Sequence, residues 1–139
     1  MSFLLDTNVL SELRKRERAS PNVIEWFAGV DDDAIYISVL VLGEIRRGIE
    51  RMRQRDRRAA AALDRWHREL VTDHGERILG VDRDIADVWG QLNVPDPLPV
   101  IDGLLAATAQ VHSLTLVTRN LRDLAGTGVP CVDPFAPAE

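Results

Sequence analysis

The sequence predicts an α/β fold, a three-layer α/β/α sandwich around a central, mainly parallel sheet of about five strands. Three observations carry this expectation. Short apolar, β-branched runs alternate along the whole chain with longer segments of helical periodicity. The first run, SFLLD, is apolar at consecutive positions, as in a strand covered on both faces. No repeat, low-complexity tract or long linker interrupts the alternation, so residues 1–139 are expected to form a single domain.

The elements follow in order. SFLLD is the first strand, and NVLSELRKR a helix with Val9, Leu10 and Leu13 on one side. SPNVIEWFAGV is a second helix: Ser20 is the expected N-cap, Pro21 takes the first helical position, and Gly29 ends it. Its inward residues should be Val23, Ile24 and Phe27. AIYISVLVL is β-branched and apolar and reads as the second strand. Helix is expected from about Leu42 to Val71, with room for one break. RILGVD is a third strand, and in DRDIADVWGQL the residues Ile85, Val88, Trp89 and Leu92 recur at helical spacing. NVPDPLP cannot be helical, because each proline removes a donor and fixes the backbone. VIDGLLAATAQVHS is a helix apolar almost all round and therefore buried. LTLVT is the fourth strand, and VPCV a short fifth one, placed at an edge by Pro130.

Composition narrows the function classes. With 45% hydrophobic and 28% charged residues the chain is an ordinary globular one. A lone cysteine, Cys131, excludes an internal disulfide framework and fits a reducing, cytoplasmic setting. No apolar stretch approaches the roughly 20 residues of a membrane helix, so no membrane partner is expected. The N-terminus shows no signal-peptide pattern, and export is not expected. The net charge of −5 argues against a dedicated nucleic-acid binder, yet nine of the 16 arginines lie between Arg46 and Arg68. RRGIERMRQRDRR is either a solvated helix face or a surface for phosphates or a partner, and Arg46 and Arg47 are its candidate substrate contacts.

Most of the 22 acidic residues sit on polar faces or in turns such as DDD at 31–33, where a solvated charge needs no explanation. Four do not. In a parallel α/β sheet, sites form beyond the carboxyl ends of the strands. Asp6 stands there, directly after the first strand, although it could equally cap the following helix. Glu44 follows the second strand between apolar residues, with a helical ion pair to Arg47 as its structural alternative. Asp102 sits in the first turn of a helix of small and apolar residues, where a charge must be solvated in a cleft, paired or metal-bound. Asp123, after the fourth strand, could also be a turn residue or a partner of Arg119 or Arg122.

Carboxylates gathered on one rim repel and raise one another's pKa values, and a divalent cation removes that conflict. Oxygen-only donors suit Mg²⁺ or Mn²⁺, and such ions can activate a water for attack on a phosphodiester. Other chemistries find little support. His67, His74 and His112 lack zinc spacing with each other or with Cys131; the first two are expected on exposed helix or loop, the third near a helix C-terminus. No GxSxG, P-loop or GxGxxG motif is present, and Asn8 breaks a DxDxT phosphoaspartyl pattern. Trp26, Trp66 and Trp89 occupy amphipathic positions suited to core or interface.

With FLLDTNVLSEL, ISVLVLGEIRRGI, DGLLAATAQVHSLTLVTRNLRDL and a terminal VDPF in this order and spacing, the chain resembles the PIN-domain family, and within it the VapC toxins of bacterial toxin–antitoxin pairs. The resemblance implies a PIN-like fold and a Mg²⁺- or Mn²⁺-dependent endoribonuclease. It matches Asp6, Glu44 and Asp102 to the family's acidic metal positions, and Thr7, Asn8 and Thr118 to residues that support them. Many relatives carry Asp straight after TR, where this chain has Asn120, with an acid only at Asp123; both residues are therefore candidate members of the metal site. The family further implies a homodimer, a cognate VapB-type antitoxin that holds the toxin inactive, and operator DNA bound only through that antitoxin. The alternatives are a catalytically weak PIN-like regulatory module and, less suited to this length, a flap-type deoxyribonuclease.

Overall fold

The computed structural model describes residues 1–137. The chain runs β1 (Phe3–Leu5), α1 (Thr7–Leu13), α2 (Pro21–Ala28), β2 (Ile35–Ser38), α3 (Val39–Arg53), α4 (Arg57–His74), β3 (Ile78–Leu79), α5 (Arg83–Leu92), α6 (Val100–His112), β4 (Thr115–Val117), α7 (Leu121–Leu124) and β5 (Cys131–Val132), with short 3₁₀ turns between some of them. All strand pairs are parallel and the order is β3-β2-β1-β4-β5. Leu4 and Leu5 point to opposite faces and both are fully buried, so the sheet is covered on both sides. Right-handed crossovers carry α1 to α4 over one face and α5 and α6 over the other. In agreement, α1 packs on α2 and α3, α3 on α4, and α5 on α6. The predicted sandwich is thus the observed one.

The strand order reverses direction at β1. The chain steps outward from β1 through β2 to β3, then returns to place β4 on the other side of β1. That switch point opens a crevice beyond the carboxyl ends of β1 and β4. Leu5 pairs with Val117 at the last rung, the Asp6 N–H donates to the Val117 carbonyl (3.1 Å), and the Thr118 N–H to the Val132 carbonyl (2.9 Å). Asp6 and Thr118 therefore leave adjacent strands at the same level.

Several elements differ from their sequence-based boundaries. The second strand ends at Ser38, whose side chain accepts from the Leu40 N–H (3.0 Å) and caps α3. The β-branched VLVL segment is therefore helical, because the cap satisfies an N–H that would otherwise need a sheet partner. The long helix breaks after Arg53, and Asp56 restarts it by accepting from the Ala59 N–H (3.0 Å). The first helix stops at Leu13 rather than running on through the basic residues. Ile24, expected inward, is 41% exposed while Val23 is buried. Ser20 occupies the N-cap position of α2 without a side-chain capping bond. His67 and His74 are half-buried: their ring nitrogens lie 3.2 Å from the Leu42 carbonyl and 2.9 Å from the Leu70 carbonyl.

Candidate functional site

Asp6 begins the site. Its backbone is extended, so it stands at the N-cap of α1, and its Oδ1 accepts from the Val9 N–H (3.0 Å). The capping reading of the sequence is thus correct. It is also incomplete, because Asp6 is only 7% exposed and its carboxylate has no basic partner among the described residues. Burial pushes the Asp6 carboxyl above the ordinary aspartate range. The Thr118 hydroxyl and the Val9 N–H pull it back, and the charges of Asp102 and Glu44 push it up again.

Glu44 arrives from α3. Instead of pairing with Arg47 it accepts from the Thr7 hydroxyl at Oε1 (2.6 Å), a bond across 37 residues that ties α3 to the start of α1. Asp102 arrives from the first turn of α6. The helix N-cap is Pro99, and Asp102 makes no capping bond; its Oδ2 accepts from the Asn120 side-chain amide (2.6 Å). The same Nδ2 donates to Asp123 Oδ2 (3.0 Å), and the Asn120 N–H donates to the Thr118 hydroxyl (3.1 Å). Asn120 therefore faces the acids as a donor.

Asp6, Thr7, Asn8, Glu44, Arg47 and Asp102 all line one cleft of about 460 Å³. Gly48, Arg51 and the segment Pro99–Ile101 complete its walls. The structure thus brings together three of the four acids singled out in the sequence. Thr118 lies beneath them, fully buried. Asp123 does not line the cleft; it is exposed on α7 and reaches the cluster only through Asn120. Arg46 does not line it either, because its guanidinium is held by Glu50 (3.2 Å) and Asp64 (3.0 Å) on the side facing α4. Arg51 and Gly48 were not singled out, although their spacing from Glu44 and Arg47 (44, 47, 48, 51) is that of one helix face and was readable.

The donor set suits a hard divalent cation: the three acids lining the cleft offer carboxylate oxygens, and the buried Asp6 carboxylate has no basic partner among the described residues. Among the described residues, no three His, Cys, Asp or Glu side chains gather tightly enough to cage an ion alone. An ion such as Mg²⁺, which retains several waters, fits that open arrangement. The neutral amide at 120 has its own consequence. Asn120→Asp would set three carboxylates within hydrogen-bond reach of one another in place of two N–H···O bonds. The expected result is a loss of about 1 kcal/mol in stability without divalent ions, largely recovered with Mg²⁺, read by thermal unfolding in each condition.

Fold and cleft together define an α/β/α domain with an acidic, oxygen-donor site at the switch point of a parallel sheet. A PIN domain family model matches residues 3–127, and the chain belongs to that family. It is 30% identical to "VapC ribonuclease Y4jK" of Sinorhizobium fredii over 98% of this chain and 99% of that one. It is 27% identical to "Toxin FitB" of Neisseria gonorrhoeae over 96% of this chain and 98% of that one. Among solved structures, FitAB bound to an IR36 DNA fragment superposes with a TM-score of 0.86 at 25% identity, covering 99% of this chain and 98% of that one.

Proposed function

We propose that this protein is the toxin of a toxin–antitoxin pair and acts as a Mg²⁺- or Mn²⁺-dependent endoribonuclease. The observation that carries the reading is the buried Asp6 carboxylate, uncompensated by any described base and sharing one cleft with Glu44 and Asp102. A relative named a ribonuclease over nearly its full length supports the substrate class. Asp6 and Asp102 would hold the ion, with Glu44 completing the shell or orienting a water, and Thr7, Asn8 and Thr118 supporting them. The ion, when bound, would supply an activated water and charge neutralisation at the phosphate. The protein's own part is positional. Thr7 fixes Glu44 and Asn120 fixes Asp102 (both 2.6 Å), and the Asp6 cap locks its carboxylate against α1. Because water rather than the ribose 2′-hydroxyl is the nucleophile, the products carry 5′-phosphate and 3′-hydroxyl ends.

Its partners under this reading are an RNA substrate, a second copy of the chain in a homodimer, and a cognate VapB-type antitoxin through which operator DNA is bound. A relative named a toxin and the DNA-bound FitAB assembly support the last of these. A basic antitoxin side chain in the cleft would neutralise part of the carboxylate cluster and block the site. No helix among the described residues is long and apolar enough to cross a membrane. The regulatory-module reading has one observation in its favour, the Asn120 amide occupying one oxygen of Asp102. Cleavage of structured RNA in Mg²⁺ or Mn²⁺, against EDTA, separates the two. Metal-dependent cleavage supports the nuclease; equal signal in EDTA overturns it, and antitoxin binding with no metal affinity establishes the module.

A further inference from the structure

The Arg-rich stretch of the sequence divides sharply in the structure. Arg46 and Arg53 are spent on Glu50 and Asp64, bracing α3 against α4. Arg47 and Arg51 are in no ion pair among the described residues, are exposed, and project along the cleft wall one helix turn apart on the face that carries Glu44. Their spacing of about 5–6 Å at Cβ is close to the step between adjacent phosphates of an extended single strand. Between them stands Gly48, where a Cβ would meet nothing within 4 Å. A glycine inside a helix is unfavourable relative to alanine, and packing does not ask for one here. It leaves the wall bare at the midpoint of the arginine pair. The opposite wall is apolar, Pro99 and Val100, the latter 60% exposed at the rim.

We propose that this face of α3 is the track by which one RNA strand reaches the carboxylates. Its phosphates lie on Arg47 and Arg51, its backbone crosses bare Gly48, and its riboses and bases rest against Pro99 and Val100. A single strand, whose bases can be splayed against an apolar wall, is the form of RNA this pairing of arginines and apolar residues suits. Arg forks suit phosphate, and the pair offsets most of the repulsion that the acidic cleft would exert on a polyanion. This inference rests on the ribonuclease reading.

The test is fluorescence anisotropy of a short labelled, mixed-sequence oligoribonucleotide across a NaCl series, with Ca²⁺ replacing Mg²⁺ to suppress cleavage. Arg47→Gln and Arg51→Gln should each weaken binding roughly five- to tenfold at low salt and reduce the salt slope by about 1. Gly48→Ala should bind like wild type, because its methyl group has room, whereas Gly48→Glu should lose binding at least as fully as the double arginine variant. Arg55→Gln/Arg58→Gln, exposed in the same Arg-rich stretch but outside the cleft, is the control for bulk charge and should keep wild-type affinity. Wild-type binding by Arg47→Gln/Arg51→Gln, or an equal loss in the control pair, overturns the track while leaving the ribonuclease reading intact. Failure of the wild type to bind the probe at all also overturns the track, while the ribonuclease reading is decided separately by metal-dependent cleavage of structured RNA. Circular dichroism of each variant separates lost contact from lost fold.

Discussion

Under the proposed function, Asp6→Asn is expected to keep its fold, gain thermal stability and lose RNA cleavage by at least about a hundredfold, since removing even a supporting group of a metal site acts on that scale. The fold survives because the structural duty of Asp6 is a cap, Oδ1 accepting from the Val9 N–H, and Asn caps as well as Asp. The gain in stability follows from the direction of its pKa. A buried carboxyl held above the ordinary range binds its proton more tightly in the folded protein than in the unfolded chain. Its contribution to stability is therefore present at acid pH and lost as pH climbs from the ordinary aspartate range through the raised folded value. Above the raised value the wild type carries an ionised, buried, unpaired carboxylate and the Asn variant does not. The difference in Tm between variant and wild type should be small at acid pH and should grow toward neutrality. Mg²⁺ should reverse it by raising the wild-type Tm through binding to the folded state, while leaving the variant unmoved. A scan of Tm against pH, with and without Mg²⁺, beside cleavage assays reads all of this. A variant that cleaves normally, or that is destabilised at neutral pH, contradicts the assignment.

The same residue shows how much of this protein could be read in advance. The first two strands were legible because Leu4-Leu5 and Ile35 to Ile37 are apolar at successive positions, as a sheet covered on both faces requires, although the equally apolar VLVL that follows is helical. Helix starts were less so. Ser38 and Asp56 each cap a helix through one side-chain bond, and a β-branched or Arg-rich neighbourhood hides that signal. The acids that line the cleft were picked out by a topological rule that looks beyond strand ends, and Asp6, Glu44 and Asp102 obey it. What local reading could not reach were the bonds that fix them, Thr7 to Glu44 across 37 residues and Asn120 to Asp102 across 18. Nor could it separate Arg46 from Arg47. One residue along a helix is a rotation of about 100°, enough to turn one guanidinium toward Asp64 and the other into the cleft.

Asp102→Asn carries the second large effect, and its neighbour makes it specific. Asp102 has two oxygens; Oδ2 is engaged by the Asn120 amide at 2.6 Å, which leaves Oδ1 as the one free for an ion. An asparagine at 102 has a single oxygen. Asn120 faces it with an N–H, so that oxygen is drawn to Asn120 and the new NH₂ is turned toward the cleft, where it repels a cation. The side chain keeps its hydrogen bond and α6 keeps its place, so the fold should hold while cleavage falls by about a hundredfold or more. Removing the clip should then help. In Asp102→Asn/Asn120→Ala the amide at 102 is free to turn its oxygen inward, and the double variant should bind Mn²⁺ more tightly than Asp102→Asn alone, even though Asn120→Ala by itself weakens binding roughly tenfold by loosening Asp102. Isothermal titration of Mn²⁺ into the four proteins closes the cycle. Opposite signs for the Asn120→Ala step in the Asp and Asn backgrounds are the expected result; the same sign in both would show that Asn120 holds Asp102 in no particular orientation.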